Sequence, residues 1–434
     1  AVELLRGQRK RAEGWADGGS NAYRNTIGST IAVATKLGWK ATKYRKILAN
    51  DADHLQKMIF NELFENGENW ITFGGQVYYR ASTHYELQSD VALEGMVGDY
   101  LAKSEDFASK SSHNNITGCI QYLKMRTGTE TPPNPDGYIN CINGILEVKK
   151  GGHRRLIDHN DPEAESLMFL DEPVFSYDPN ADRTEAERLL ECLPDPRARS
   201  LFMRTMAFAL NWEDAARTHG HGIALFSLGE GSNGKDTNTN ILRRIFGESA
   251  VTSVDLNQFK KADDGQSFAL ANLGQARLNL PSETTVNFKI DNLKTFKATT
   301  TGNRIWVERK HENGYEIAPR ITQMYPTNNE FIMNNAKEAD ERRYMAIKWP
   351  ISYTSNPVKI EQHPELFRLS DKRFLGMGPD SEWLNTHVVP GYFNILLDYF
   401  EEVCAKGFDD LLEYSRSIIE EMGRGVNHVK EFIA

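Results

Sequence analysis

The stretch "GIALFSLGEGSNGKDTNTNILRRIFG", Gly222 to Gly247, leaves the chain little choice of local fold. "GIALFSL" is a short apolar run of the kind that predicts a buried strand. It feeds straight into a glycine-rich segment, and "TNTNILRRIFG" then reads as a helix. A strand, a glycine loop and a helix in that order form the context in which G-x-x-x-x-G-K-[ST] binds phosphate. Gly229, Gly234 and Lys235 fit that pattern, but Asp236 stands where the hydroxyl is expected. Backbone N–H groups from Gly231 through Ser232, Asn233 and Gly234 to Asp236 are positioned to cradle phosphate oxygens. The helix N-terminus adds its partial positive charge. Lys235 is expected to reach the β/γ-phosphates, which makes ATP the expected ligand.

Asp236 decides whether the loop needs a metal. A bare carboxylate about 4 Å from a phosphate oxygen costs about 4 kcal/mol at an effective dielectric of 20. With Mg²⁺ between them the sign reverses, because carboxylates are good hard-oxygen ligands. A negative charge is also favoured at a helix N-terminus. Asp236 is therefore expected to replace the hydroxyl as a Mg²⁺ ligand, with Thr237 the alternative after a small register shift.

The other 400 or so residues set limits on class. The chain has 434 residues, enough for two or three domains, and its 40% apolar content suffices for real cores. No run approaches the roughly 18 apolar residues of a membrane helix. No charged, apolar, small-residue leader is visible, so the expected location is the cytoplasm of a host cell, with no membrane partner. The first residue is Ala and the chain reads as a portion of something longer. Cys119, Cys141, Cys192 and Cys404 show neither CxxC nor zinc spacing, and read as reduced thiols. Net charge is −9, yet residues 1–48 carry ten Lys/Arg against three acids, a local +7 that leaves −16 elsewhere. That asymmetry fits a polyanion contact or a solvated helical face, and the residues do not choose between them.

Along the chain, residues 40–70 have apolar residues at helical spacing. "WITFGGQVYYRASTHYELQ" alternates like a strand pair, and "DVALEGMVGDYLAKSEDFAS" returns to helix. "GYINCINGILEVKKGGHRRLI" predicts strands turning at Asn143-Gly144 and Gly151-Gly152. "DRTEAERLLECL" and "DPRARSLFMRTMAFALNWEDAA" read as helices opening on Asp. After the glycine loop, "ARLNLPSE", "RIWVERKHENGYEIAPR", "ITQMYPTN" and "RRYMAIKWP" are strand-like, and the C-terminal part is helical. Strands alternating with helices argue for an α/β sheet.

"GEGSNGKDT" resembles the phosphate loop of superfamily 3 helicases, and more narrowly that of viral, phage and plasmid primase-helicases of the poxvirus and satellite-phage type. "INCINGILEV" is similar to the family's N-G-[VI]-L-D-[LV] segment, "FSYDPNAD" to its Y-D-P-x-A stretch, and "GYFNILLDYF" to its closing helical region. The resemblance spans roughly residues 135–434. It implies a P-loop NTPase core of the AAA+-like, superfamily 3 kind. A mixed α+β N-terminal region (1–180) would precede an ATPase region (181–355), and a helical C-terminal segment (356–434) would follow. It also implies roles. Glu283, ending "ARLNLPSE", would polarise the attacking water or hold Mg²⁺ through water. Asn328 in "MYPTNNEF", with Asn329 one register away, would sense the γ-phosphate. Arg342 or Arg343 in "ERRYMAIKWP" would act across a subunit boundary as an arginine finger. Trp306–Arg309 and Tyr315–Ala318 would pair as a hairpin with Lys310 and His311 at its tip gripping nucleic acid, and Lys294 and Lys297 adding backbone contacts. The implied protein is an ATP- and Mg²⁺-dependent motor on single-stranded DNA. It would work as a homo-oligomeric, hexameric ring, with a primase or polymerase fused or associated. Two other classes stay open: a nucleotide-switched initiator without turnover, and an unrelated P-loop ATPase or kinase indifferent to DNA.

Overall fold

A computed structural model of the chain describes residues 52–103, 107–229, 231–282, 293–308, 314–327, 342–378 and 380–421. The basic residues 1–48 lie outside them. The described residues divide into two compact units, those within 52–78 and 88–128 and those within 79–87 and 129–421.

The first unit is built from α1 (Ala52–Glu62), β1 (Trp70–Phe73), most of β2 (Gln76–Arg80), α2 (Asp90–Lys103) and α3 (His113–Thr127). Leu93, Val97 and Leu101 on α2, and Leu55 and Ile59 on α1, recur at i, i+4 and are buried together with Cys119, Ile120 and Leu123 of α3. Phe64 meets Trp70 edge-on at 5.1 Å. α3 starts at Ser112, whose hydroxyl accepts the Asn115 N–H. The alternation over 70–88 predicts a pair of strands. There are three, because bends at 82–84 break the run and release β3 (Tyr85–Gln88).

The second unit opens with an antiparallel meander, β4 (Tyr138–Cys141), β5 (Gly144–Lys149) and β6 (His153–Ile157). Its second turn uses Gly151 and Gly152 at φ +83° and +75°, backbone that side chains other than Gly rarely adopt. α4 (Thr184–Leu190), α5 (Pro196–Phe208) and α6 (Trp212–His219) follow. α5 carries the expected start, with Asp195 accepting the Arg197 N–H and Pro196 in the first turn.

The centre is a parallel sheet. Its strands in chain order are β7 (Ala224–Leu228), β8 (Val251–Thr252), β9 (Leu278–Asn279), β12 (Thr322–Thr327) and β13 (Tyr344–Lys348). In space they run β13-β7-β12-β9-β8. Between them lie α7 (Lys235–Phe246), α8 (Leu256–Asp263), α9 (Lys294–Thr300) and the hairpin of β10 (Ile305–Val307) with β11 (Tyr315–Ile317). Side chains alternate across the pleat. Leu225, Met324, Met345 and Ile347 enter one core, with α5 and with Ile241 and Ile245 of α7. Ala224, Phe226, Tyr325, Tyr344 and Ala346 enter the other, with Phe259 of α8 and Phe296 of α9. Burial on both faces explains why β7 reads as a continuous apolar run.

After the sheet come β14 (Ser352–Thr354), α10 (Pro357–Gln362), β15 (Phe367–Leu369), α11 (Asp380–His387) and α12 (Val389–Lys406). The segment from 356 is thus not helical throughout, since β14 and β15 pair in parallel. α12 is helical as expected, and Tyr392, Phe393, Leu396 and Phe400 bury it in the first core. The α/β class expected from the sequence holds, as a parallel sheet covered by helices.

Candidate functional site

The strand order reverses at β7. From β7 the chain crosses to the far edge at β8, walks back through β9 to β12, then steps over β7 to β13. In open α/β sheets the crevice at such a reversal, outside the carboxyl ends of the strands, is where ligands bind. The glycine loop occupies that position, leaving β7 at Leu228 and entering α7 at Lys235.

The loop is anchored at several points. Gly229 N–H donates to Thr327 O of β12 at 3.3 Å, Trp349 N–H donates to Leu228 O at 2.7 Å, and Tyr353 N–H donates to Ser232 O at 2.7 Å. Gly229 has no room for a side chain: a Cβ there would strike the Asn233 amide and lie 2.9 Å from the Trp349 carbonyl oxygen. Ser232 (φ +63°) and Gly234 (φ +85°) both take left-handed backbone, with Gly234 as the residue that caps α7. Successive N–H groups turned inward by such backbone make an anion-binding concavity. Gly231, by contrast, is exposed and has nothing near its Cβ direction, so this side of the loop is open.

Four side chains line the cradle and its mouth. Lys235 is buried, and its Nζ donates to the Gly229 carbonyl at 2.5 Å. Asn233 is buried too; its Oδ1 accepts the Lys235 N–H at 3.2 Å, while its Nδ2 has no hydrogen-bond partner among the described residues. A buried amide left unpaired costs about 1–3 kcal/mol. Asp236 is exposed and Thr237 half-buried, both in the first turn of α7. A hard cation fits this donor set of carboxylate and hydroxyl at the mouth of the cradle.

A polar support behind the loop is absent from the sequence reading. Asn238 Nδ2 donates to Gly234 O at 2.9 Å, and Tyr392 OH of α12 donates to Asn238 Oδ1 at 2.9 Å. Cys192 lies beside Gly234, and burial pushes its thiol up to about 12. Within "TNTN" nothing distinguishes the inward Asn238 from Asn240. Only its spacing of four from the capping glycine is a usable signal.

The other expected residues divide by sheet edge. β9 ends at Asn279, four residues before Glu283, and β12 ends at Thr327, one before Asn328. Both strands are parallel to β7 and bring the chain to the same edge as the loop. Glu283, Asn328 and Asn329 themselves lie outside the described residues, as do Lys310 and His311. Asn279, polar within an otherwise apolar strand, is fully buried. Its Nδ2 reaches Val254 O and Tyr325 OH, both at 2.9 Å, and its Oδ1 accepts Val254 N–H at 2.7 Å. Arg342 and Arg343 precede β13 and so stand at the opposite, amino edge. The register of β13 on β7 sets Tyr344 beside Ala224 and Lys348 beside Leu228. At about 3.3 Å per residue, Arg343 starts about 16 Å from the strand end that feeds the loop. Neither arginine reaches the loop of its own chain.

The expected strand pairing is present over a shorter span, Ile305–Val307 with Tyr315–Ile317, Val307 standing opposite Tyr315 and Trp306 opposite Glu316, while 309–313 lie outside the described residues. Lys294 and Lys297 are exposed on α9. Lys294 lines a cavity of about 310 Å³ beside the hairpin, together with Arg304, Trp306 and Glu308.

A family of unknown function, DUF5906, matches residues 228–343, from the end of β7 to the start of β13. No curated protein matches. Among solved structures, the A-form apo structure of the NrS-1 C-terminal region is similar at 15% identity and a TM-score of 0.49, over 85% of this chain and 74% of that one. An apo structure of NrS-1 C-terminal region 305–718 gives 14% and 0.47 over the same shares.

Proposed function

We propose that this chain is an ATP-driven replicative DNA helicase of the superfamily 3 type, the motor portion of a phage, plasmid or viral primase-helicase. The observation that carries the reading is the loop: a glycine cradle at the strand-order reversal, holding a buried lysine and an unpaired buried amide donor. MgATP supplies the phosphoanhydride bond to be cleaved and the divalent charge that Asp236 and Thr237 face. Lys235 exchanges the Gly229 carbonyl for a phosphate oxygen, and Asn233 Nδ2 donates to a second. Gly229 lets backbone approach the phosphates without a side chain in the way. Glu283 orients the attacking water. Arg342 or Arg343 of a neighbouring copy neutralises developing charge, because the same residues start too far from their own loop. This need for a second copy supports a ring. Two exposed lysines beside a hairpin support single-stranded DNA as the track.

A nucleotide-switched initiator is the second reading. Its specific support is the Lys235–Gly229 bond, which closes the loop on itself, together with an acid at the hydroxyl position.

The test is steady-state ATPase activity with and without single-stranded DNA across a Mg²⁺ titration, beside Lys235→Ala. The expected result is DNA-stimulated turnover with steep Mg²⁺ dependence, falling about 100- to 1000-fold in the variant. Nucleotide binding without turnover, in a preparation shown to be oligomeric, would establish the switch instead.

A further inference from the structure

The solvent face of the β10–β11 hairpin carries a row the sequence reading did not use. Along β10, Ile305 and Val307 are buried while Trp306 is 57% exposed. Side chains two apart share a face, so Arg304, Trp306 and Glu308 stand together on the outer side. The indole is not loose. Across the hairpin, Gly314 leaves it space, and a Cβ on Gly314 would lie 2.6 Å from the indole Nε1. Gly314 therefore lies against the indole, more than half of which remains exposed. The 310 Å³ cavity opens next to it, walled by the small residues Ala262, Gly265 and Ala298 and flanked by Lys294 and Arg304. Arg304 is 76% exposed and meets Glu316 at 3.3 Å.

We propose that this pocket holds one unpaired nucleobase of a single strand, stacked on Trp306, with its amino edge on Glu308 and the flanking phosphates on Lys294 and Arg304. The inference rests on the single-stranded DNA reading above and adds a base preference to it. A rigid aromatic face backed on one side is what base stacking requires, and such stacking tolerates any base. Glu308 supplies the selectivity. A carboxylate so close to the phosphate track repels backbone, but it accepts hydrogen bonds from an exocyclic amine of the base edge. Cytosine and adenine present that amine, and thymine does not. The charges also sort by role, with two cations flanking the pocket and the one acid among its lining residues two positions beyond the indole.

The test uses the full chain and fluorescein-labelled oligo-dC, oligo-dT and an abasic oligomer of equal length, followed by anisotropy without nucleotide. Wild type is expected to bind oligo-dC more tightly than oligo-dT. Trp306→Ala should weaken both about tenfold, leave the abasic oligomer unchanged, and be largely rescued by Trp306→Phe. Glu308→Gln should erase the dC-over-dT preference. A thermal melt of each variant controls for folding, and a fluorescent ATP analogue tests the glycine loop separately. Oligomer binding that is indifferent to Trp306→Ala overturns the stacking pocket while the motor reading survives. ATP-analogue binding with no affinity for any oligomer overturns both the pocket and the DNA track, and leaves a nucleotide site without one.

Discussion

The two edges of the parallel sheet are made from the same strands and handle polar groups in opposite ways. At the carboxyl edge, the loop after β7 keeps left-handed backbone at Ser232 and Gly234, an exposed Asp236 and an unpaired buried amide on Asn233. At the amino edge, Arg277 enters β9 with its guanidinium fully buried. It donates to the carbonyls of Pro135, Tyr138, Ala209 and Leu210, at 2.6 to 2.9 Å. Asp136 beside it accepts the N–H groups of Trp212 and Glu213 at 2.8 and 3.0 Å. Burial raises the Asp136 carboxyl, and Arg277 with those two donors pulls it back. Buried polar groups are normally paired; the Arg277 guanidinium and the Asp136 carboxylate meet that rule, and the Asn233 amide does not.

Arg277→Met breaks the comparison on the saturated side. Its apolar stem is kept, but the carbonyls of Pro135, Tyr138 and Ala209 lose this donor, and Leu210 O and Asp136 keep only their backbone N–H partners. A loss of about 4 kcal/mol is expected, read by urea denaturation. A change below about 1 kcal/mol would mean that the amino edge rearranges freely and is no scaffold.

Two asparagines sharpen the same contrast on the carboxyl side. Asn279 and Asn233 are both buried, and both follow or end a strand of the sheet. Every polar atom of Asn279 is bonded, so Asn279→Asp places a carboxylate oxygen against the Val254 carbonyl, where the amide had donated. About 3 kcal/mol of destabilisation is expected from that reversal. Asn233→Asp retains the Oδ1 that accepts the Lys235 N–H and replaces only the donor that bonds nothing. Stability should change by less than about 1 kcal/mol, while affinity for an ATP analogue should fall at least about tenfold. Equal stability losses for the pair would show that the Asn233 amide is structural, not a waiting ligand contact.

Much of this arrangement is legible in the residues. The glycine loop, its strand and its helix follow from apolar run, glycine spacing and helical period, and the hairpin from Asn313-Gly314 between two strand-like runs. Strand order is not legible, because nothing local tells β7 that β12 and β13 will flank it. The support behind the loop escapes for a similar reason. Tyr392 lies 154 residues from Asn238, and long-range pairing leaves no mark on either sequence neighbourhood. Arg277 reads as an ordinary strand-entry charge until its four carbonyls, each more than 65 residues away, are brought together. The alternation at 70–88 misleads by one strand, since period two persists across the bend that separates β2 from β3.

The smallest expected effect concerns pH, and it again separates the edges. His219 closes α6 at the amino edge, where its Nε2–H donates to the Arg342 carbonyl at 3.1 Å. Its ring packs on His221 at 4.7 Å and on Phe408 at 4.9 Å. Burial, then the neighbouring His221, lowers its pKa to about 4; the hydrogen bond to the Arg342 carbonyl and the charge of Asp409 oppose the depression, and the Arg342 charge adds least to it. The ring is therefore neutral in the folded chain at a pH where the unfolded chain, near 6.5, already binds a proton. Between these values the unfolded state holds more protons, so stability falls as pH drops from 6.5 to 4 and is flat above. A loss of about 1–2 kcal/mol across that window is expected from this residue, because the ring is not fully shielded. His219→Gln, which retains a donor for the Arg342 carbonyl, should flatten the slope of urea midpoint against pH. A pH slope unchanged by His219→Gln would place the acid-sensitive group elsewhere and remove this difference between the edges. A slope that flattens while ATP-analogue binding is untouched would show the two edges answering to different solution variables: protons at the scaffold, phosphate at the loop.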